Sequence, residues 1–401
     1  MEKKDKNLNV PNLRFPEFSG EWERRSLSDL VIRVTRKNKN NESRLPLTIS
    51  AQYGLVDQIS FFNKVVASND MSNYYLLHNG EFAYNKSYSG DYPWGAIKRL
   101  DLYEKGALSS LYICFAPKNT VDSDFLVHYF ESPKWYKEVS NIAGEGARNH
   151  GLLNISVPDF FNTRHWIPSC KAEQRKIAAL LNLVEERIHT QKKIIEDLKK
   201  LKDAISNLNF TSGSALKLGN VGKFVRGLTY SASDVIDYTI GTAVMRSNNI
   251  TNGDPVNFEE LVWVNKIPNH EQILRGGDIV ICMANGSSPL VGKASYYVDC
   301  GMESATVGAF CGIYRSDNPL TKWLFQSKHY KKHIQRCIQG GNGAIANIYP
   351  EDILAISFNI PCGYERVLNI LNSLEEKYLL EQKLLSRYLG VKSYLLSRLF
   401  I

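Results

Sequence analysis

The sequence predicts an α+β protein built from two similar halves, each a mixed α/β globular domain followed by a long helix. Two segments, IAALLNLVEER (177–187) and VLNILNSLEEK (367–377), repeat one amphipathic pattern about 190 residues apart. Their apolar residues recur in steps of three and four, which is typical of a helix with one apolar stripe. Short strand-like runs, LYICFAP (111–117) and VGAFCGIY (307–314), alternate with helical segments in both halves.

The two long helices organise the chain. Pro168 and Pro361 precede them, where a helix can begin but cannot extend backwards. Each covers about 37 residues, or roughly 55 Å, and a helix of that length with one stripe needs a partner. The shared polar positions Gln191 and Glu381 favour pairing of the two helices over packing of each on its own domain. We therefore predict an antiparallel coiled coil with pseudo-two-fold symmetry. Its predicted seam comprises Ile177, Leu181, Val184, Ile188, Ile195, Leu198, Leu371, Leu374, Tyr378, Leu385, Tyr388 and Leu395.

Shorter segments outside the helices repeat as well. The correspondences are WERRSLSDLVIRVTRK (22–37) with ALKLGNVGKFVRGLTY (215–230), LLHNGEFAYNKS (76–87) with ILRGGDIVICMA (273–284), and FESPKWYK (130–137) with FQSKHYKK (325–332). They predict globular domains at 1–166 and 211–360, and spacer helices at 167–210 and 361–401. The small polar residues TSGSA (211–215) predict a hinge between the halves.

Composition narrows the class of protein. The chain has 401 residues, 49 Lys plus Arg and 41 Asp plus Glu, so the formal charge is +8. This moderate excess permits a nucleic-acid partner without requiring one. The first residues contain no apolar signal region, and no run is long enough to span a membrane. Seven scattered cysteines without a CxxC pair predict a reduced, cytoplasmic protein.

The order of parts resembles the specificity subunit of type I restriction-modification systems. The opening PNLRFPEFSGEWERRSLSDL (11–30) resembles that family's start, and IPSCKAEQRKIAALLNLVEERIHTQKKIIEDLKKLK (167–202) resembles its central spacer helix. The C-terminal helix resembles the distal one, so the resemblance covers essentially the whole chain. It is weak in the globular halves, where members that recognise different DNA should differ.

The resemblance implies a non-catalytic protein with two target-recognition domains. Each domain would read one half of a bipartite sequence in double-stranded DNA, and the paired helices would set the spacer. Two modification subunits would bring S-adenosylmethionine and methylate adenine, and two restriction subunits would bring ATP and magnesium. No cofactor is expected in this chain. The alternatives are a stand-alone two-headed DNA-binding regulator, an enzyme, and a scaffold that holds two protein ligands apart.

Motifs for chemistry are lacking in the sequence. It has no Asn-Pro-Pro-Tyr or Asp-Pro-Pro-Tyr, which hold the flipped adenine in amino-methyltransferases. The segment GSSPLVGKA (286–294) has the wrong spacing for a phosphate loop, and Ala294 replaces the Ser or Thr that would bind magnesium. His329 and His333 are four residues apart, but we favour a basic helix face over a zinc site and expect no metal.

Basic residues and amides near aromatic residues are the candidate DNA contacts, because Arg can pair with guanine and Asn with adenine. The alternative for each is a solvated surface residue. In the first half the candidates are Arg33, Arg36, Lys37, Lys39, Asn85, Lys86, Ser87, Tyr88, Arg148, Asn149 and His150. In the second half they are Arg226, Arg246, Asn248, Asn249, Asn285, Lys293, Lys328, Lys331, Lys332, Asn342 and Asn347. The outer helix face, with Glu185, Lys192 and Lys199, is either a solvated face or a docking face for the modification subunits.

Overall fold

The computed structural model divides the chain into two compact units. The structure describes residues 9–64, 67–68, 70–87, 92–143, 151–210, 212–237, 240–339 and 345–401. Unit 1 extends to Lys192 and also contains Leu384–Ile401, whereas unit 2 is the continuous segment Lys193–Lys383. Each long helix therefore contributes residues to both units.

Unit 1 holds the first ten strands and the start of the first long helix. Its elements are β1 (Glu23–Ser26), α1 (Leu27–Leu30), β2 (Val31–Arg33), β3 (Leu47–Ser50), β4 (Gly54–Asp57), α2 (Gln58–Phe62), β5 (Tyr75–His78), β6 (Phe82–Asn85), β7 (Ala96–Arg99), β8 (Lys105–Leu108), β9 (Ile113–Pro117), α3 (Ser123–Glu131), α4 (Tyr136–Ile142), α5 (Val157–Asn162), β10 (Arg164–Ile167) and α6 (Lys171–Asn209).

An antiparallel four-stranded sheet, in the order β2-β9-β6-β7, forms the centre of unit 1. The pairs β1–β10, β3–β4 and β5–β8 surround it. Aromatic side chains dominate the core, with the Phe82 and Phe115 rings stacked at 5.4 Å. Asp122 caps α3 by accepting the Phe125 N–H at 3.1 Å, which fixes where that helix begins.

Unit 2 holds the remaining strands and most of the second long helix. Its elements are β11 (Ser214–Lys217), α7 (Leu218–Val221), β12 (Lys223–Arg226), β13 (Val235–Ile236), β14 (Thr242–Met245), β15 (Val262–Val264), β16 (Ile279–Cys282), β17 (Ala284–Asn285), β18 (Ala294–Tyr296), β19 (Ala305–Val307), β20 (Cys311–Arg315), α8 (Thr321–Gln326), α9 (Lys328–Cys337), β21 (Ala346–Asn347), α10 (Pro350–Leu354), β22 (Ser357–Ile360) and α11 (Tyr364–Arg398).

The sheets of unit 2 repeat those of unit 1. The sheet β12-β20-β16-β18 corresponds to β2-β9-β6-β7, and the pair β11–β22 corresponds to β1–β10. In unit 1 Phe82 lies opposite Phe115, and in unit 2 Ile279 lies opposite Tyr314, so the repeat extends to strand register. Unit 2 adds a second four-stranded sheet, β13-β15-β14-β19, in which β14 and β19 run parallel.

The prediction of a hinge at 211–215 is wrong for Ser214 and Ala215, which belong to β11. Ser214 and Ala215 pair with Ile360 and Asn359 in β22. A Cβ on Gly213 would meet the Ile360 carbonyl oxygen at 2.0 Å, so glycine lets the backbone approach that strand. The prediction failed because small polar residues suit both a hinge and a close strand edge. Thr211 lies outside the described residues.

The long helices α6 and α11 pack against each other, as predicted. In unit 1, Ile177 and Leu181 from α6 share a core with Leu396 and Phe400. In unit 2 the other ends meet, because Ile205 packs against the cluster that contains Leu368 and Leu371. Residues early in α6 therefore lie beside residues late in α11, and the converse, so the helices are antiparallel. All twelve predicted seam residues are buried or half-buried.

Each unit also contains a Lys–Glu ion pair between the two helices. Lys202 binds Glu375 in unit 2, and both side chains are only 4% exposed. The second oxygen of Glu375 accepts the Tyr296 hydroxyl proton. Lys392 binds Glu185 in unit 1. Lys202 and Lys392 are 190 residues apart, as are Glu185 and Glu375, so this is one pair used twice.

One of the three charges predicted on the outer helix face is corrected by these contacts. Glu185 is engaged with Lys392 between the helices. Lys199 is exposed as expected, and its ammonium lies 3.6 Å from the Asp254 carboxylate. Lys192 is exposed as expected. The pattern of apolar residues could not reveal the position of Glu185, because charged residues beside the seam and on the outer face follow similar sequence patterns.

The two segments on which the resemblance rests meet in unit 1. Glu173, near the start of α6, accepts two hydrogen bonds at 2.8 Å from the Arg14 guanidinium. It also accepts the Trp22 indole N–H at 3.2 Å. The Leu13 N–H donates to the Arg398 carbonyl at 3.0 Å, so the opening segment contacts α6 and α11.

We expect Lys202→Met to lower the free energy of unfolding by about 3–5 kcal/mol, because it leaves a buried carboxylate without its cation. Lys200→Met is the matched control, because Lys200 pairs with Glu196 at an exposed position and its loss should change the unfolding free energy little. Denaturant unfolding followed by tryptophan fluorescence measures both. Equal midpoints for Lys202→Met and the wild type would show that the buried pair adds no stability.

His165 is a buried titratable group in β10. Its ring nitrogens contact the Tyr129 hydroxyl at 2.9 Å and the Thr163 hydroxyl at 2.8 Å. Burial lowers the pKa of His165 to about 4, against an opposing effect from the charge of Glu138. The folded protein therefore holds this imidazole neutral at pH values where the unfolded chain, with a His pKa of about 6.5, binds a proton.

The contribution of His165 to stability is complete above about pH 6.5 and decreases by about 1.4 kcal/mol per pH unit down to about pH 4. His165→Phe should remove this part of the pH dependence, and phenylalanine is the residue at the equivalent strand position, Phe358. The measurement is the unfolding free energy of both proteins from pH 7 to 4.5. Parallel curves would contradict the assignment.

Candidate nucleic-acid interface

Unit 2 has a cavity of about 400 Å³ that contains two of the predicted DNA-binding residues, Arg246 and Asn285. It lies where β14 ends, β17 begins and β20 starts. Its lining comprises Tyr230, Arg246, Ser247, Ala284, Asn285, Gly286, Gly308, Ala309, Phe310, Cys311 and Ile345. A cation, an amide and apolar side chains therefore converge on one concave surface, which is the combination that base recognition uses.

Local hydrogen bonds position the polar side chains of this cavity. Asn285 donates its amide N–H to the Ser247 hydroxyl at 3.2 Å and accepts the Ser287 N–H at 2.9 Å. The Arg246 backbone N–H donates to the Asn249 side chain at 2.8 Å, and the Arg246 side chain is exposed. The guanidinium is thus presented on a fixed backbone.

Asn249 differs from its predicted role. Its side chain is fully buried, and its amide group donates to the Asn257 and Glu259 carbonyls at 3.0 and 2.7 Å. Its oxygen accepts the Arg246 N–H. These bonds use both amide protons, so Asn249 holds the turn behind Arg246 and is not presented to DNA.

The turn Gly308–Cys311 forms one wall of the cavity and is held by backbone hydrogen bonds on every side. The Gly308 N–H donates to the Met245 carbonyl at 2.9 Å, and the Cys311 N–H to the Gly308 carbonyl at 2.8 Å. The Phe310 carbonyl accepts two N–H groups, from Met283 at 2.8 Å and from Ala284 at 3.1 Å. A Cβ on Gly227 would lie 2.2 Å from the Gly308 carbonyl oxygen, so the chain packs closely there.

Unit 1 has a smaller cleft, with a volume of about 90 Å³, beside the turn that precedes β9. Arg33 and Lys86, both predicted contacts, line it together with Tyr75, Leu111 and Tyr112. The Tyr112 N–H donates to the Ser109 carbonyl at 3.2 Å, so a turn precedes β9 as one precedes β20. Both units therefore place basic and apolar residues near the start of an inner strand of the four-stranded sheet, β9 in unit 1 and β20 in unit 2.

Five other predicted residues of unit 1 do not line this cleft, and three of them form side-chain hydrogen bonds within the unit. Arg36 binds both oxygens of Glu81, at 2.8 and 2.7 Å. The Lys37 ammonium donates to the Asn73 carbonyl at 2.8 Å and lies 4.3 Å from the centre of the Tyr75 ring. Lys39 and Ser87 are exposed, and Asn85 accepts the Ser87 N–H at 3.0 Å.

The remaining candidates of unit 2 do not line the cavity. Lys328, Lys331 and Lys332 lie on α9, where the first and last are exposed and the second is half-buried. Arg226 and Asn248 are exposed, and Lys293 and Asn347 are half-buried. Tyr88, Arg148, Asn149, His150 and Asn342 fall outside the described residues.

Several residues that line the clefts were not predicted from the sequence, among them Tyr112, Tyr230, Leu111 and Phe310. Leu111 and Phe310 stand in apolar runs that predict buried strands, yet they are 69% and 64% exposed. The available signal was the turn-forming residue two positions earlier in each case, a serine or a glycine.

Two findings concern other classes of site. Within the described ranges, no three His, Cys, Asp or Glu residues group closely enough to hold a metal ion. His329 and His333 lie on α9, and the His329 ring packs against Phe358 with centres 5.0 Å apart. Across those same ranges, no helix combines the length and apolar character needed to cross a membrane.

Comparison with known proteins gives a consistent result. The chain is 30% identical over 154 residues to the type I restriction enzyme EcoKI specificity subunit of Escherichia coli (strain K12). It is equally similar to the StySPI specificity subunit of Salmonella potsdam. The relatives are type I specificity subunits. The aligned region covers 36% of this chain and 32% of each relative, so the match spans about a third of either protein. No family model matches the sequence.

Solved structures extend the likeness in fold to nearly the whole chain. The S subunit of the type I restriction-modification system from M. genitalium matches with a TM-score of 0.58 and 16% identity, over 98% of this chain and 99% of that one. A chain from a structure of the assembly and conformational transition of the type I R-M system matches with a TM-score of 0.51 and 14% identity, over 94% and 97%. The resemblance stated from the sequence is therefore confirmed.

We expect Gly227→Ala to lower the unfolding free energy by about 1–3 kcal/mol, because the added methyl forces the Gly308 turn to move. Gly276→Ala is the control, since its nearest neighbour, the Asp299 Cβ, is 3.8 Å away. Denaturant unfolding of both variants measures the difference. Unchanged stability of Gly227→Ala would mean that the turn is not rigidly held.

Proposed function

We propose that this chain is the DNA sequence-recognition subunit of a type I restriction-modification complex, in which each globular domain reads one half of a bipartite target. The observation that carries the proposal is that each unit has a cleft beside the turn that precedes corresponding strands, β9 in unit 1 and β20 in unit 2. Each cleft combines basic and apolar side chains, and the fold resembles that of type I S subunits. Arg246 and Asn285 are suited to base edges in the major groove.

Most DNA contacts should go to phosphates, which fix the position of the protein without specifying sequence. The exposed cations Arg33 and Lys39 in unit 1 and Arg226, Lys328 and Lys332 in unit 2 suit this role. Binding through such residues releases counterions, so affinity should fall steeply as salt rises. A scaffold for two protein ligands would lack this dependence.

The helix pair has two proposed roles, setting the spacer between half-sites and docking the two modification subunits. Large apolar side chains remain exposed along both helices, among them Leu183, Leu201, Leu380 and Val391. Leu201 and Val391 are 190 residues apart and equally exposed, so the feature belongs to the repeat. Exposed apolar residues on a regular surface suit a protein partner.

The chain itself is proposed to be non-catalytic. The modification subunits would carry S-adenosylmethionine and transfer a methyl group to adenine, and two restriction subunits would carry ATP and magnesium. The charged and polar residues of both clefts would bind and orient DNA. Choice of sequence is then the contribution of this chain to the complex.

The test is methylome sequencing of a methylation-free host that expresses this chain with its modification subunit. We expect a new adenine mark in a split motif, two short blocks separated by a fixed number of unspecified bases. The modification subunit alone is the control and should leave no such mark. Association of the subunits without any mark would contradict sequence recognition, and tight DNA binding by the chain without association would favour a stand-alone regulator.

A further inference from the structure

Two exposed apolar side chains occupy the same position in the two units. Leu111 lies four residues before Phe115, which pairs with Phe82. Phe310 lies four residues before Tyr314, which pairs with Ile279. Because the sheets share strand order and register, Leu111 and Phe310 are equivalent residues of the repeat.

Neither side chain packs into the core of its unit, although both are large and apolar. Leu111 is 69% exposed and Phe310 is 64% exposed. Single exposed apolar residues are common on proteins, and Leu102 and Ile267 are examples on loops outside the clefts. What separates Leu111 and Phe310 from these is that each lines the cleft of its own unit.

The backbone beneath Phe310 is fixed. Its carbonyl accepts two N–H groups, and the turn is closed by the Cys311 N–H. Because this backbone is already ordered, little conformational entropy is lost when the side chain contacts a partner, which favours affinity and discrimination. Leu111 has a similar turn, in which the Tyr112 N–H donates to the Ser109 carbonyl.

The polar side chains that share each cleft are of the types that bind nucleic acid. Phe310 shares its cavity with Arg246 and Asn285, and Leu111 shares its cleft with Arg33 and Lys86. Cations and amides bind phosphates and base edges, and the apolar group that the major groove offers between them is the thymine C5-methyl. Phenylalanine and leucine fit that group.

We propose that Leu111 and Phe310 are specificity-determining residues, each contacting a thymine methyl in the half-site read by its own unit. This inference rests on the proposed function. Each half-site that contains a target adenine also contains a thymine on the other strand, so the group is available to both.

The experiment uses the full chain assembled with its modification subunits and a DNA library in which both half-sites are randomised. Methylated molecules are sequenced for the wild type, Phe310→Ala and Leu111→Ala. Each variant should lose about tenfold in discrimination at one base pair, or two adjacent ones, in a single half-site. The two variants should affect opposite half-sites. Leu102→Ala and Ile267→Ala are the matched controls and should keep the wild-type preference.

A second arm identifies the group that is contacted. Replacing the thymine at the affected position by deoxyuridine removes only the C5-methyl. Wild-type methylation should fall about as much as Phe310→Ala lowers it on the original DNA, and Phe310→Ala should be insensitive to the replacement. Phe310→Leu, which keeps an apolar side chain, should retain the preference and guards against misfolding of the alanine variant.

The outcomes separate the two levels of inference. If the wild-type complex leaves no mark in a split motif, the proposed function fails. If it marks a split motif and the alanine variants mark the same motif, only the inference about Leu111 and Phe310 fails. The inference also fails if both variants alter one half-site, if methylation falls uniformly without a change in sequence, or if deoxyuridine has no effect on the wild type.

Discussion

The structure depends on the requirement that two long amphipathic helices bury their apolar stripes. Neither α6, at 39 residues, nor α11, at 35, can be stable in water with its stripe exposed. Their antiparallel packing satisfies both at once. The Lys–Glu pairs add a polar constraint, because sliding one helix along the other would separate Lys202 from Glu375 and leave buried charges unpaired.

The globular parts show which features the repeat preserves. The four-stranded sheet and the β1–β10 type of strand pair recur with their register, since these elements carry the core next to the helices. The loops and the second sheet of unit 2 differ. Arg246 follows β14 of that second sheet, so cleft residues come partly from the segments that the repeat does not share. The two units therefore share the sheet that packs next to the helices and differ in the segments that line the clefts.

Long-period patterns made much of this architecture predictable. The repeat at about 190 residues gave the two helices, their pairing and the matching strands, because each pattern averages over many residues. Short segments were less informative. Ser214 and Ala215, predicted as part of a hinge, belong to β11, and the pattern could not show this because a strand edge and a hinge use the same small residues.

The site was predictable only in part, for a physical reason. Arg246 with Asn285, and Arg33 with Lys86, come from distant segments and line a common cavity only in the folded chain, which residue type does not show. Asn249 had the right chemistry, but its burial is decided by the Asn257 and Glu259 carbonyls. Leu111 and Phe310 had the pattern of core residues, and only the turns before β9 and β20 turn them outward.

The division of the helices between the units has a consequence for synthesis on the ribosome. Unit 2 is one continuous segment and can complete its core once Lys383 has emerged. Unit 1 cannot, because Leu396 and Phe400 belong to its core and Arg398 receives the Leu13 N–H. The part of the chain made first is therefore completed last, and its apolar surface near Ile177 stays uncovered while unit 2 is made. A premature stop after residue 383 would accordingly damage the N-terminal unit and spare the C-terminal one.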